Sequence, residues 1–122
     1  MIRNMKKVLG EYIRNSREKL RTKDRRFSLR QVAVQIGIEP SYLSKVERGE
    51  AVSLSEEKLV ALAKVLNEDP DVILALSGKI SSDIQEAIRK RPQLFAQLIR
   101  ELKDLPDHAV LRIVREVRDG KW

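Results

Sequence analysis

The 122-residue sequence has no cysteine, a single histidine, one Trp, two Tyr and two Phe. Without cysteine there is no disulfide and no thiolate metal site. One imidazole, His108, has no second ligand near it in sequence and reads as an ordinary surface residue. No carboxylate pair, histidine cluster or nucleophile arrangement stands out, so neither an enzyme nor a metal or cofactor is expected. Long apolar runs are also missing: nothing approaches the ~18 uninterrupted residues that a membrane span needs. Met1–Lys7 lacks the apolar stretch of a signal peptide. The expectation is a soluble, cytoplasmic protein with no membrane partner.

What the chain does have is Leu, Ile, Val and Ala mixed with 35% charged residues, a composition that favours amphipathic helices over sheets. Its formal charge of +7 is unevenly spread. Residues 1–50 hold 13 Lys/Arg against 6 Asp/Glu, residues 51–80 hold 3 against 5, and residues 81–122 hold 9 against 7. The net excess therefore lies in the first fifty residues, as a face that meets a polyanion requires.

Hydrophobic spacing predicts a first helix from about Asn4 to Leu20, with Val8, Leu9, Tyr12, Ile13 and Leu20 on one face. The basic stretch 21–27 reads as a solvated loop. Ser28-Leu-Arg-Gln31 fits a capping box and opens a short second helix that Gly37 ends. Pro40 restarts the chain as a first helical residue, and Gly49 ends that third helix. Ser53-Leu-Ser-Glu56 is a second capping box, heading a helix with Leu59, Leu62, Ala63 and Leu66 inward. Asp69-Pro70 begins a fifth, with Val72, Ile73 and Leu76 inward, closing at Gly78. Two to three further helices follow, broken at Pro92 and Pro106. The apolar stripe of Leu94, Phe95, Leu98, Ile99 and Leu102 continues in Val110, Ile113, Val114 and Val117. About forty residues bury too little surface to stand alone. The division expected is a first domain over 1–79 and a helical segment over 80–122 that dimerises or binds a partner.

The segment Ser28 to Gly49 carries the functional signal. Two short helices joined by a turn containing glycine form a helix-turn-helix, whose second helix enters the major groove of double-stranded DNA. Val32 and Ala33 face inward, Ile36 and Ile38 fill the space under the turn, and Leu43 and Val46 anchor the second helix. Ser41, Ser44, Lys45 and Arg48 remain outward, behind Glu39 and Pro40.

Leu9-Gly10, Ile13-Arg14, Arg17, Ser28 to Ala33, Gly37-Ile38, Tyr42 to Gly49 and Leu59 to Leu66 together resemble the Cro/repressor-type, or XRE, helix-turn-helix family. The resemblance spans roughly residues 8–78, and Tyr-Leu-Ser-Lys-Val-Glu-Arg-Gly is its most specific part. It implies an all-α, five-helix, lambda-repressor-like domain followed by a helical extension. It also implies base reading by Pro40, Ser41, Ser44 and Lys45, and DNA-backbone contacts from Arg30, Gln31, Tyr42 and Arg48. Arg17 and Glu47 match a structural ion pair of the family. The chain departs from the family pattern at Leu29 and Pro40, where many members carry Gln. That removes one phosphate contact and one adenine reader, and the operator cannot be deduced.

These features lead to the expectation of a transcriptional regulator, a repressor acting as a homodimer on a palindromic operator in bacteria or a phage. The alternative is an antitoxin that autoregulates its operon and holds a toxin through the C-terminal helices. Arg89-Lys90-Arg91 reads as a solvated face, and Trp122 as either an interface seal or simply the last residue.

Overall fold

Leu9, Ile13 and Arg17 recur at helical spacing, and all three turn to the interior of a first helix, α1 (Met5–Arg21). The computed structural model describes residues 5–50 and 52–122, so Asn4, the expected start of α1, lies outside the described residues. Then come a 3₁₀ turn (Arg25–Phe27), α2 (Leu29–Ile36), α3 (Pro40–Glu47), α4 (Glu56–Val65) and α5 (Pro70–Leu76). The chain ends in α6 (Ser82–Lys90), α7 (Pro92–Leu102) and α8 (Asp107–Asp119). Among the described residues all regular structure is helical. None of these helices is long and apolar enough to cross a membrane.

The chain divides into two compact units, Met1–Ser81 and Ser82–Trp122. In the first, α1 packs on α3 and α5, α2 on α3 and α4, and α4 on α5. Their shared core is aliphatic: Ile13, Val32, Leu43, Leu59, Leu62 and Ile73 are its most completely enclosed members. In the second unit α6 packs on α7, and no side chain of α6, α7 or α8 is fully buried.

Local chemistry explains most helix boundaries. Ser28 accepts from the Gln31 N–H, and Asp69 accepts from the Asp71 N–H ahead of Pro70. Gly37 leaves α2 at φ 76°, a conformation that costs residues with a Cβ 1–2 kcal/mol or so. Gly10 serves a different need. A Cβ there would meet the Val46 and Glu47 carbonyl oxygens at 2.5 and 2.6 Å, so α1 can lie against the end of α3 only with no side chain at this point.

Four expectations change. The box at Ser28 is one-sided, because the Ser28 N–H is donated to the Arg25 carbonyl and is not left for Gln31. The cap of α4 is Ser55, accepting from the Lys58 N–H, and not Ser53. Leu54 explains the shift: it is buried in the core, which keeps residues 52–54 out of the helix. Val8 and Val72 face solvent, while Leu74 takes the inward position on α5. The basic stretch is ordered and not merely a solvated loop: Asp24 caps the 3₁₀ turn, Arg26 pairs with Asp24 at 2.7 Å, and Phe27 packs on the core.

Two polar clusters tie α1 to the rest of this unit. Arg17 Nε and Nη2 donate to the two Glu47 carboxylate oxygens at 2.7 and 2.9 Å, and Nη1 donates to the Phe27 carbonyl at 3.2 Å. Both residues are buried, Arg17 at 4% and Glu47 at 7% exposure. In the second cluster, the Tyr12 hydroxyl and Ser16 Oγ donate to the two oxygens of Glu68 at 2.8 and 2.9 Å. The bond to Glu68, then partial burial, then the charges of Glu68 and Asp69 raise Tyr12 above the ordinary phenol value.

Replacing Arg17 with Met leaves Glu47 buried and unpaired, and the expected cost in urea denaturation is about 3–5 kcal/mol. The Arg17→Met/Glu47→Leu double variant is expected to regain most of that loss. A double variant as unstable as the single one would show that the pair's charge is not the issue. Tyr12→Phe is expected to cost about 1 kcal/mol at pH 7. The Tyr12 contribution is fully present below the unfolded phenol pKa and is lost as pH rises through the raised folded value. The gap between wild type and Tyr12→Phe should therefore close only above about pH 10, as stability curves against pH can show.

Candidate nucleic-acid interface

α3 is amphipathic over eight residues. Leu43, Val46 and Glu47 point inward, whereas Ser41, Lys45 and Arg48 are exposed and Ser44 is half-exposed. Pro40 supplies the first helical residue after Glu39, which makes no side-chain cap. The amino end of α3 therefore keeps its outward N–H groups without a side-chain acceptor. Tyr42 sits at the edge between the two faces, and its hydroxyl donates to the Ser53 carbonyl at 2.5 Å.

The turn between α2 and α3 is held from below. Ile36 is buried and Ile38 half-buried under it. Lys58 Nζ reaches up from α4 to the Ile36 carbonyl at 2.9 Å, meeting an acceptor that the end of α2 would otherwise leave unpaired. The Ile38 N–H closes on the Ala33 carbonyl at 3.0 Å.

Two open depressions flank the outer ridge of α3. One is lined by Ile38, Glu39, Ser41, Tyr42 and Lys45. The other brings Arg14 of α1 and Leu29 of α2 beside Ser44 and Arg48. Lys45 has no ionic partner among the described residues. Arg48 is already engaged: its Nη1 donates to Ser44 Oγ and its Nε to Glu50 at 2.5 Å. Arg30 and Gln31 are exposed in the first turn of α2. Ser28 takes the Gln31 N–H there, and the preceding N–H groups of the turn remain for an outside acceptor.

The residues singled out from the sequence therefore fall into distinct groups. Pro40, Ser41 and Lys45 share one outward surface, Ser44 and Arg48 form a hydrogen-bonded unit one turn further on, and Arg30 and Gln31 stand at the start of α2. Tyr42 is turned toward the 52–54 segment, and Arg17 with Glu47 lies inside. Three residues of this region escaped the sequence reading in these roles. Arg14 sits one turn before Arg17 on α1 and is exposed, so helical spacing alone could have linked it to the same side. Gly10 and Lys58 act through a close approach and a tertiary hydrogen bond, neither of which leaves a local pattern. No group of His, Asp or Glu able to hold a metal ion occurs among the described residues.

A family model described as a helix-turn-helix domain matches residues 8–76, more than half of the chain. No curated protein and no solved structure matches the chain.

The Tyr42 bond to Ser53 spans from α3 to the segment ahead of α4. Tyr42→Phe is expected to lower stability by about 0.5–1 kcal/mol, as one partly exposed hydrogen bond contributes. Thermal denaturation would measure it, and an unchanged midpoint would mean that this bond contributes nothing.

Proposed function

The chain belongs to the helix-turn-helix domain family, and from that premise we propose a sequence-specific DNA-binding transcriptional regulator of the Cro/repressor, or XRE, type. α3 enters the major groove. A homodimer on a palindromic operator represses by occupying promoter DNA. The observation that carries this reading is the division of α3: an inner face locked by Leu43, Val46 and the Arg17–Glu47 pair, and an outer face offering Ser41 and an unpaired Lys45.

Lys45 is long enough to reach a base edge, and guanine, with two acceptors in the major groove, is the base its ammonium suits. Ser41 reads alongside it from the amino end of the helix, where Pro40 supplies an apolar contact. Ser44 contributes through its bond to Arg48, so the two act together: Arg48 moves to a phosphate, and Ser44 is freed toward the bases. Arg30 and Gln31 meet the backbone at the start of α2, where the helix dipole also favours phosphate. Tyr42 reaches phosphate only by giving up its bond to Ser53. Dimerisation follows from the small number of base pairs that one short helix can read, since two half-sites multiply selectivity.

The test is binding of the purified protein to its own upstream DNA and to scrambled DNA over a series of salt concentrations. Lys45→Ala is expected to shrink the preference for the upstream sequence roughly tenfold, the effect of losing one base contact. Arg30→Ala should weaken binding to both DNAs alike and reduce the salt slope by about one unit. Equal, salt-sensitive binding of the wild type to both DNAs would overturn the sequence-specific reading.

A further inference from the structure

Each helix of the second unit carries more apolar surface than that unit covers. On α7 the half-buried Phe95 and Leu102 form an inner edge, and Leu94, Leu98 and Ile99 remain exposed beside it. On α8 the inner edge is Ala109, Val110 and Ile113, all half-buried. Leu111, Val114 and Val117 are more than half exposed, at 52, 51 and 59%. These three follow at i, i+3 and i+6 and so lie in one band along the helix. Asp107 opens that band in the first turn of α8 and Arg118 closes it in the last.

We propose that α8 pairs with α8 of a second copy of this chain, antiparallel, across a two-fold axis at Val114. The residues are symmetric about that point. Leu111 and Val117 are each three positions from Val114. In the antiparallel pair Leu111 of one copy meets Val117 of the other, and Val114 meets its own equivalent. Asp107 of one copy then lies within one helical turn of Arg118 of the other, and this happens at both ends. A parallel pair would set Asp107 on Asp107 and Arg118 on Arg118, an arrangement that like charges oppose. Antiparallel helix dipoles favour the same choice.

An interface of this kind is isologous, so one self-complementary face serves both copies and the assembly stops at two. The inference rests on the dimeric part of the function proposed above and makes no use of DNA.

Cross-linking of the full-length chain tests it. With no native cysteine, every disulfide reports on an introduced thiol. Under mild oxidation Val114→Cys should give a covalent dimer in most molecules. Leu111→Cys alone and Val117→Cys alone should not, while an equimolar mixture of those two should cross-link to each other. Cross-linking of all three variants alone would indicate a parallel pair and overturn the proposal. In sedimentation without DNA the wild type should be dimeric at tens of micromolar. Val114→Glu, a change at an exposed position that should leave the circular dichroism unchanged, should weaken that dimer at least tenfold. A wild type that sediments as a monomer overturns the pairing, and selective DNA binding by that monomer would leave the base-reading assignment intact. A cross-linked Val114→Cys dimer with no DNA preference would uphold the pairing and remove the other reading.

Discussion

A guanidinium and a carboxylate taken out of water each cost several kcal/mol, of that order, unless geometry repays them. The Arg17–Glu47 pair meets that demand with two parallel bonds at 2.7 and 2.9 Å, the fork-to-fork arrangement that arginine alone among the cations can make. Two of the three remaining guanidinium hydrogens also have acceptors, the Phe27 carbonyl and the Glu18 carboxylate. The hydrogen bond to Glu47 raises the Arg17 pKa against the opposing pull of burial. A single side chain thus joins α1, the 3₁₀ turn and the inner face of α3. A hydrophobic residue at position 17 could fill the volume, but it could not fix the rotation of α3 about its own axis. Directional bonds to a carboxylate do so.

That rotation decides which residues face outward. α3 has only eight residues and buries Leu43, Val46 and Glu47; a turn of one position would exchange Lys45 for Val46 on the outer surface. Gly10 contributes to the same constraint by letting α1 approach the Val46 and Glu47 carbonyls. Lys58 does so from the opposite side by holding the end of α2. The outward residues can therefore be polar and sparsely paired without loosening the helix, because its position is set from behind. This separation of a rigid inner face from a variable outer one allows the same scaffold to carry different outward side chains.

Where the sequence could be read, the reason was local and periodic. Gly37, Gly49, Pro40 and Pro70 punctuate short helices whose apolar residues recur at helical spacing, so the all-helical class and the two-helix motif follow from pattern alone. Ser53 was misread because Ser53-Leu-Ser-Glu56 fits the capping box, whereas Ser55, with Lys58 three residues on, caps through its own oxygen alone. The burial of Leu54 decides between them, and burial is a tertiary fact. Val72 and Leu74 are equally apolar, and only the position of α5 against α1 and α4 chooses one. Charge misleads a hydropathy reading in the same way: Arg17 and Glu47 have the most polar side chains in the core, and nothing but family resemblance linked them. Exposed residues such as Ser41 and Lys45 could be located on a face from the sequence, but what they touch is a property of the complex.

The two units also solve the problem of burial differently. Among the described residues the first unit encloses fourteen hydrophobic side chains. The second encloses none fully, and the pairing proposed for α8 would cover part of the apolar surface it exposes. Anything that binds the associated state stabilises it by mass action, and an operator with two half-sites is such a ligand. In the function proposed above, dimer formation and operator occupancy would strengthen each other by the same factor. Occupancy by such a dimer would rise more steeply with protein concentration than a monomer could manage, because each filled site draws two chains. The steepness would come from α8 rather than from α3, so the residues proposed to select the DNA sequence and those proposed to set the concentration threshold would belong to separate units and could vary independently.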